Sequence, residues 1–298
     1  MWVEGTLVAR GTSSDQITFT SSAASPSAGD WGYIEFKAGS SGTTYDGSGN
    51  YVSGSILEHC RVEYGGSVVK HAPYINSCTF TNNGGGNSGG VVGAYRWESY
   101  KWSNSEPVKI TNSTFTQNAM AIILAVDATI TGNTITYNES GISVGGGDTT
   151  ISDNVITHNT GGGIYGQLQN GVVTISNNQI SDNSNTGVKI THQDQGTVTA
   201  TISNNTIVRN GGASYGGGIR GGSFMDMQGF TLNITNNYIA DNSAGTGGGI
   251  YIGNGRPTVN ISYNRIHNNT ATSGEGSALY VKDGENPDTY EYNTVTGG

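Results

Sequence analysis

Charge is scarce in this chain. Lysine and arginine together number 13 and aspartate and glutamate 22 among 298 residues, leaving a net charge of −9. So few cations leave no electrostatic footprint for nucleic acid, and no nucleic-acid partner is expected. Hydrophobic residues make up only 34%, too few to feed a helical bundle. No apolar run reaches the roughly 18 residues of a membrane span, so no membrane insertion is expected. The 48 glycines follow no triplet period and proline numbers only 5, which excludes a collagen-like chain. His59, His71, His158, His192 and His267 show neither H-x-H nor H-E-x-x-H spacing, so a zinc site is not expected. No signal peptide is visible. "MWVEGTLVAR" starts inside a strand-like pattern, so further sequence is expected upstream of Met1. The wealth of Asn, Ser, Thr and Gly suits a secreted or cell-surface protein.

What the chain has is a repeat. "ITGNTITYN" (130–138), "ISDNVITHN" (151–159), "ISNNQISDN" (175–183), "ISNNTIVRN" (202–210), "ITNNYIADN" (234–242) and "ISYNRIHNN" (261–269) share the pattern I-[ST]-x-N-x-I-x-x-N. Weaker copies precede them and "YEYNTV" follows, so one position reads Cys60, Cys78, Ser113, Asn133, Asn154, Asn178, Asn205, Asn237, Asn264, Asn293. Successive copies lie 18 to 35 residues apart, with no amphipathic helical stretch between them. Each copy instead offers three short strands, the third of the form "GGIY". Inward isoleucines would stack from coil to coil into one dry core, and stacked asparagine amides would bond along the stack. The first asparagine is expected to form the tight turn, since Asn tolerates the left-handed backbone region. The fold class expected is all-β: a single right-handed parallel β-helix, a solenoid of about eleven coils. Residues 1–30 are assigned to N-terminal lead-in strands or a cap, and 31–298 to one continuous domain of repeats.

The I-x-x-N-x-I…G-I repeat resembles the right-handed parallel β-helix superfamily, the pectin-lyase-like group of carbohydrate-binding proteins and sugar hydrolases, over roughly residues 31–295. The resemblance implies substrates lying along the third sheet. For lyases of the group it implies a Lys or Arg base that removes a proton beside a uronate carboxylate, often with calcium. No reaction-specific motif accompanies the repeat, so it speaks for fold and not for a reaction.

Cys60 and Cys78 occupy the asparagine position on adjacent coils, within disulfide range. Two buried thiols replacing Asn is the preferred reading. Asp127 and Asp148 each precede a coil-opening isoleucine by three residues. They should therefore stack on adjacent coils, as a calcium site, an acid/nucleophile pair or a pair of splayed turn residues. Asp182, Arg209 and Asp241 share a further column that reads as a surface ion ladder.

Aligning the third strands gives an outward column Ser143, Tyr165, Lys189, Arg220, Tyr251, Tyr280. Two cations stand mid-column between tyrosines. The two longest connections follow them, carrying His192, Asp194 and Asp226, and the aromatic insertion at 94–107 carries Trp97 and Trp102. Tyrosine faces stack on sugar rings and paired cations neutralise uronates or sulfates. Lys189, Arg220 and His192 are therefore the candidate catalytic residues. Tyr165, Tyr251, Tyr280, Asp194, Asp226, Trp97 and Trp102 are the candidates for substrate contact, and Asp127 and Asp148 for metal. The function expected is extracellular recognition of an acidic polysaccharide, with lyase or glycoside hydrolase activity left open. The alternative is a non-catalytic adhesin or structural stalk, as a monomer or part of a longer surface protein. A hydroxyl ladder running through Thr131, Ser152, Ser176 and Ser203 adds ice as a further surface to weigh.

Overall fold

The computed structural model describes residues 1–37, 39–67, 69–70, 73–84, 90–94, 107–193, 196–223, 229–253, 255, 257–282 and 289–297. Most of the strands fall into three sheets of eleven parallel strands each, one rung per coil, and Thr44–Tyr45 and Tyr51–Ser53 form a separate antiparallel pair. The first sheet holds the coil-opening strands, such as Val198–Ser203. The second holds Thr206–Val208 and its copies, and the third Val188–His192 and its copies. Register keeps like on like: Ile110, Ile130, Ile151, Ile175, Ile202, Ile234 and Ile261 are partners on successive rungs. They join one core that runs from Val3 to Ile266. Strands Trp2–Val3, Val8–Arg10 and Ile17–Phe19 supply the first rung of the three sheets, so residues 1–30 are a coil of the same solenoid. A short fourth sheet, Ala213–Tyr215, Ser243–Thr246 and Thr270–Ala271, lies between the second and third strands of three late coils.

Two asparagine ladders stitch the coils together. Asn133, Asn154, Asn178, Asn205, Asn237, Asn264 and Asn293 form one, and Asn83, Asn118, Asn138, Asn159, Asn183, Asn210, Asn242 and Asn269 the other. Each Nδ2, save those of Asn269 and Asn293 at the ladder ends, donates to the Oδ1 of the next coil's asparagine at 2.9 to 3.1 Å. The same Oδ1 accepts the preceding asparagine's backbone N–H, and Nδ2 also donates to a main-chain carbonyl of the coil before. No interior amide is left open along the ladder, which is what burial of so polar a group requires.

The turn differs from expectation. The residue at positive φ is the one before each ladder asparagine: Asp153, Asn177, Asn204, Asn236 and Tyr263 have φ of 56° to 58°. The ladder residue is buried between two strands without a positive φ, so its neighbour, whose side chain faces solvent, makes the corner. A second series of such corners precedes the second ladder and includes Tyr137, His158, Asp182 and Arg209. At these corners Arg209 and Asp182 form the ion pair of the expected ladder, Nε to Oδ1 2.7 Å, half exposed and of small worth.

Cys60 and Cys78 are buried free thiols that imitate asparagine. The Cys60 backbone N–H points at Cys78 Sγ, 3.4 Å away, and Cys78 Sγ donates to the Leu57 carbonyl at 3.3 Å. Its contact with Cys60 and its burial push the Cys78 thiol well above the usual cysteine range. Both thiols should react with a disulfide reagent within the mixing time only after denaturation, and slowly or not at all in the folded protein. A native preparation with no titratable thiol in denaturant would mean a disulfide instead.

Candidate functional site

Strand alternation sets the candidate site. In Ile164–Leu168, Val188–His192 and Ile219–Ser223 the first, third and fifth residues face the core, and Tyr165, Lys189 and Arg220 face out. Register then places Ser143, Tyr165, Lys189, Arg220, Tyr251 and Tyr280 on successive rungs. Neighbouring rungs are about 4.8 Å apart, close enough for the side chains to touch. The Lys189 ammonium lies 4.4 Å from the centroid of the Tyr165 ring. The Arg220 guanidinium lies 5.3 Å from that of Tyr215 and 5.9 Å from that of Tyr251. Tyr251 and Tyr280 stack at 5.5 Å with planes 7° apart. Each cation is thus held by an aromatic face. Among the described residues neither is paired with a carboxylate.

Tyr165, Lys189, Arg220 and Tyr251 wall one flank of a cleft of about 280 Å³, with Gln167, Thr191 and Gln193 on the other, and Tyr280, expected to contact substrate, lies outside this lining. Its floor is bare backbone because Gly222, the outward residue beside Thr191, and Gly253 on the next coil carry no side chain. Two positive charges and three polar side chains converge there beside the Tyr165 ring, whereas Tyr251, expected to contact substrate, is packed against Tyr215 and Tyr280 and is only 8% exposed. The arrangement suits a polyhydroxylated anion.

Burial, and secondarily the Arg220 charge, lower the Lys189 pKa below the ordinary lysine value of about 10.4. Burial raises that of the Tyr251 phenol. An anion held by the Lys189 ammonium should therefore be released as pH rises through this lowered value, while Arg220 stays charged. Retention of an acidic ligand is expected to fall about tenfold, the worth of one charge-assisted contact, at a pH where a free lysine is still protonated. Lys189→Arg should flatten the profile. An unchanged wild-type profile up to the ordinary lysine range would remove Lys189 from the site. For the free protein the sign is opposite, since a lowered lysine pKa means that folding opposes the charged form and stability rises as the proton leaves.

Other candidates fall elsewhere. His192 does not line the cleft: its strand runs two residues into the segment expected to be a loop, and position 192 faces the core with no exposed surface. Its Nε2 donates to the Gly196 carbonyl at 2.9 Å, its ring lies 5.8 Å from that of Phe230, and Nδ1 has no partner. The Arg220 connection is likewise shorter than expected, because strand residues continue through Ser223. Asp194, Asp226, Trp97 and Trp102 lie outside the described residues. Asp127 and Asp148 do stack on adjacent coils, but as caps: Asp127 Oδ1 accepts the Asp148 N–H and Asp148 Oδ1 the Val172 N–H, both at 2.8 Å. No group of three acidic, histidine or cysteine side chains that could hold a metal occurs among the described residues. Two exposed carboxylates already engaged fall short of the about six to eight oxygens that calcium takes, so the pair does not fit a calcium site.

Tyr215 was not foreseen. It comes from the fourth sheet, in "GGASYGGG", where no period marks it, and packs 4.9 Å from Tyr251, ring to ring.

The family described as right handed beta helix region matches residues 100–298. The chain belongs to this family. No curated protein and no solved structure matches it. The match carries the β-helix architecture and leaves substrate and reaction to the groove. In this β-helix the groove belongs to coils that lie entirely within the matched region.

Proposed function

We propose that this β-helix recognises an acidic polysaccharide in an extracellular setting, with the chain lying in the cleft of the third sheet. The observation that carries the reading is the Lys189–Arg220 couple, which has no carboxylate partner among the described residues and stands between tyrosine rings over a glycine floor. Cations without a carboxylate partner are costly to bring together, since each disfavours the other's charge. Their natural complement is a uronate or sulfate, and tyrosine supplies the platform for a sugar ring. A smooth stalk would need none of these features, so the cleft counts against the adhesin alternative.

A second reading, β-elimination, is favoured by the lowered pKa of Lys189. A lysine more easily deprotonated is better able to take the proton next to a uronate carboxylate, while Arg220 neutralises that carboxylate. A screen of uronic-acid, sulfated and neutral polysaccharides tests both readings, with retention and the ultraviolet absorbance of unsaturated ends followed together. Retention of acidic polymers alone supports recognition, and absorbance that Lys189→Ala removes adds the lyase reading. Equal retention of neutral polymers, or none of any, sinks the groove.

A further inference from the structure

The cleft does not stop at the cations. A second concavity of about 310 Å³ shares Tyr165 and Lys189 with the first and extends from them toward the opposite strand ends and earlier coils. Together the two cross the third sheet diagonally, with the Tyr165–Lys189 pair as the common wall. Their chemistry differs. Apart from Lys189 no charged side chain among the described residues lines the second concavity. Its walls are Met120, Ser140, Ser143, Asn185 and Thr186, over a floor of Gly161 and Gly162. Those glycines cannot be larger: a Cβ at Gly161 would stand 2.6 Å from the Glu139 carbonyl oxygen, and one at Gly162 2.8 Å from that of Thr186.

We infer that the groove is bipartite and takes a polymer in which an acidic sugar alternates with a neutral N-acetylated one, an inference that rests on the acidic-polysaccharide reading above. The acidic unit belongs over Gly222, against Lys189 and Arg220. The neutral unit belongs in the second concavity. There Met120 offers an apolar surface of the size of an acetyl methyl. The Asn185 amide oxygen is already taken by the Thr186 N–H at 2.8 Å, which leaves its Nδ2 to donate to an acetamido carbonyl. Ser140 and Ser143 face ring hydroxyls. A second acidic unit would find no cation there beyond Lys189, which the first unit already engages. A homopolymer of uronate therefore leaves half of the groove mismatched.

The test is calorimetric titration of the full chain with two oligosaccharides of equal length, one alternating uronate and N-acetylhexosamine, the other uronate only. The alternating oligomer should bind at least about tenfold more tightly, one or two good contacts' worth. Removing its acetyl groups chemically should abolish the advantage. Ser143→Trp, at an outward strand position, should bring the two affinities together by filling the second concavity. Asn185→Ala should narrow the ratio without that bulk, and circular dichroism would confirm that each variant is folded. Equal binding of the two oligomers by wild type, both weakened by Lys189→Ala/Arg220→Ala, overturns the bipartite groove and leaves acidic recognition standing. Failure of both oligomers to bind overturns both readings.

Discussion

Replacing Asn205 by leucine should cost about 3 to 5 kcal/mol, read as a fall in the denaturation midpoint, although the two side chains are close in size. Asn205 is 1% exposed, and its Oδ1 accepts both the N–H and the Nδ2 of Asn178. Its own Nδ2 serves the Ile175 carbonyl and Asn237 Oδ1 at 2.9 and 3.0 Å. Leucine would strand two donors and one acceptor on the preceding coil and take one donor from Asn237 Oδ1 on the next, each orphan worth about 1 to 3 kcal/mol. The neighbouring Asn204 is the control. It is exposed at φ 56°, so Asn204→Gly should stay within about 0.5 kcal/mol. Equal effects of the two substitutions would show that the amide ladder is ornamental.

Charge reversal in the groove should have the largest functional effect. With Lys189→Glu and Arg220→Glu together, retention of an acidic glycan is expected to drop at least about a hundredfold, because like charge now faces the ligand. Neutral glycans should be unaffected. Stability should change little, because the double reversal puts one outward like-charge pair in place of another and gives up only the contacts of the two cations with the Tyr165 and Tyr215 rings. Loss of binding together with loss of fold would mean that the pair is structural, and the outward, solvent-side placement of both residues predicts otherwise.

The sheets, their register and the number of coils were legible because isoleucine and asparagine recur at fixed offsets, and parallel stacking turns an offset into a column. The same rule places Lys189 between Tyr165 and Arg220 from the sequence alone. It failed where the repeat is silent. His192 and Ser223 looked like loop residues because nothing in a sequence announces how far a strand continues past its motif, and two more residues of strand turned the imidazole inward. The repeat points to the asparagine itself as the corner, whereas the inward-facing ladder leaves that strained geometry to the preceding residue, of almost any type. The neutral half of the groove was invisible for a different reason. Met120 and Ser140 stand at the strand edge, where register pairs them outside the Ser143–Tyr165 column, and only the three-dimensional offset of the two columns opens a concavity between them.

The direction of the ladders has a mechanical consequence. Every rung is held to the next by bonds that lie along the long axis, so tension applied at the two ends loads the rungs in series and the weakest outer one yields alone. Such a molecule should come apart as a zipper does, at modest and nearly constant force. Each step would release one coil of 18 to 35 residues, or roughly 60 to 120 Å of slack at about 3.4 Å per residue. A surface protein built this way would act as a shock absorber, lengthening in increments under flow while the coils that carry the groove stay wound.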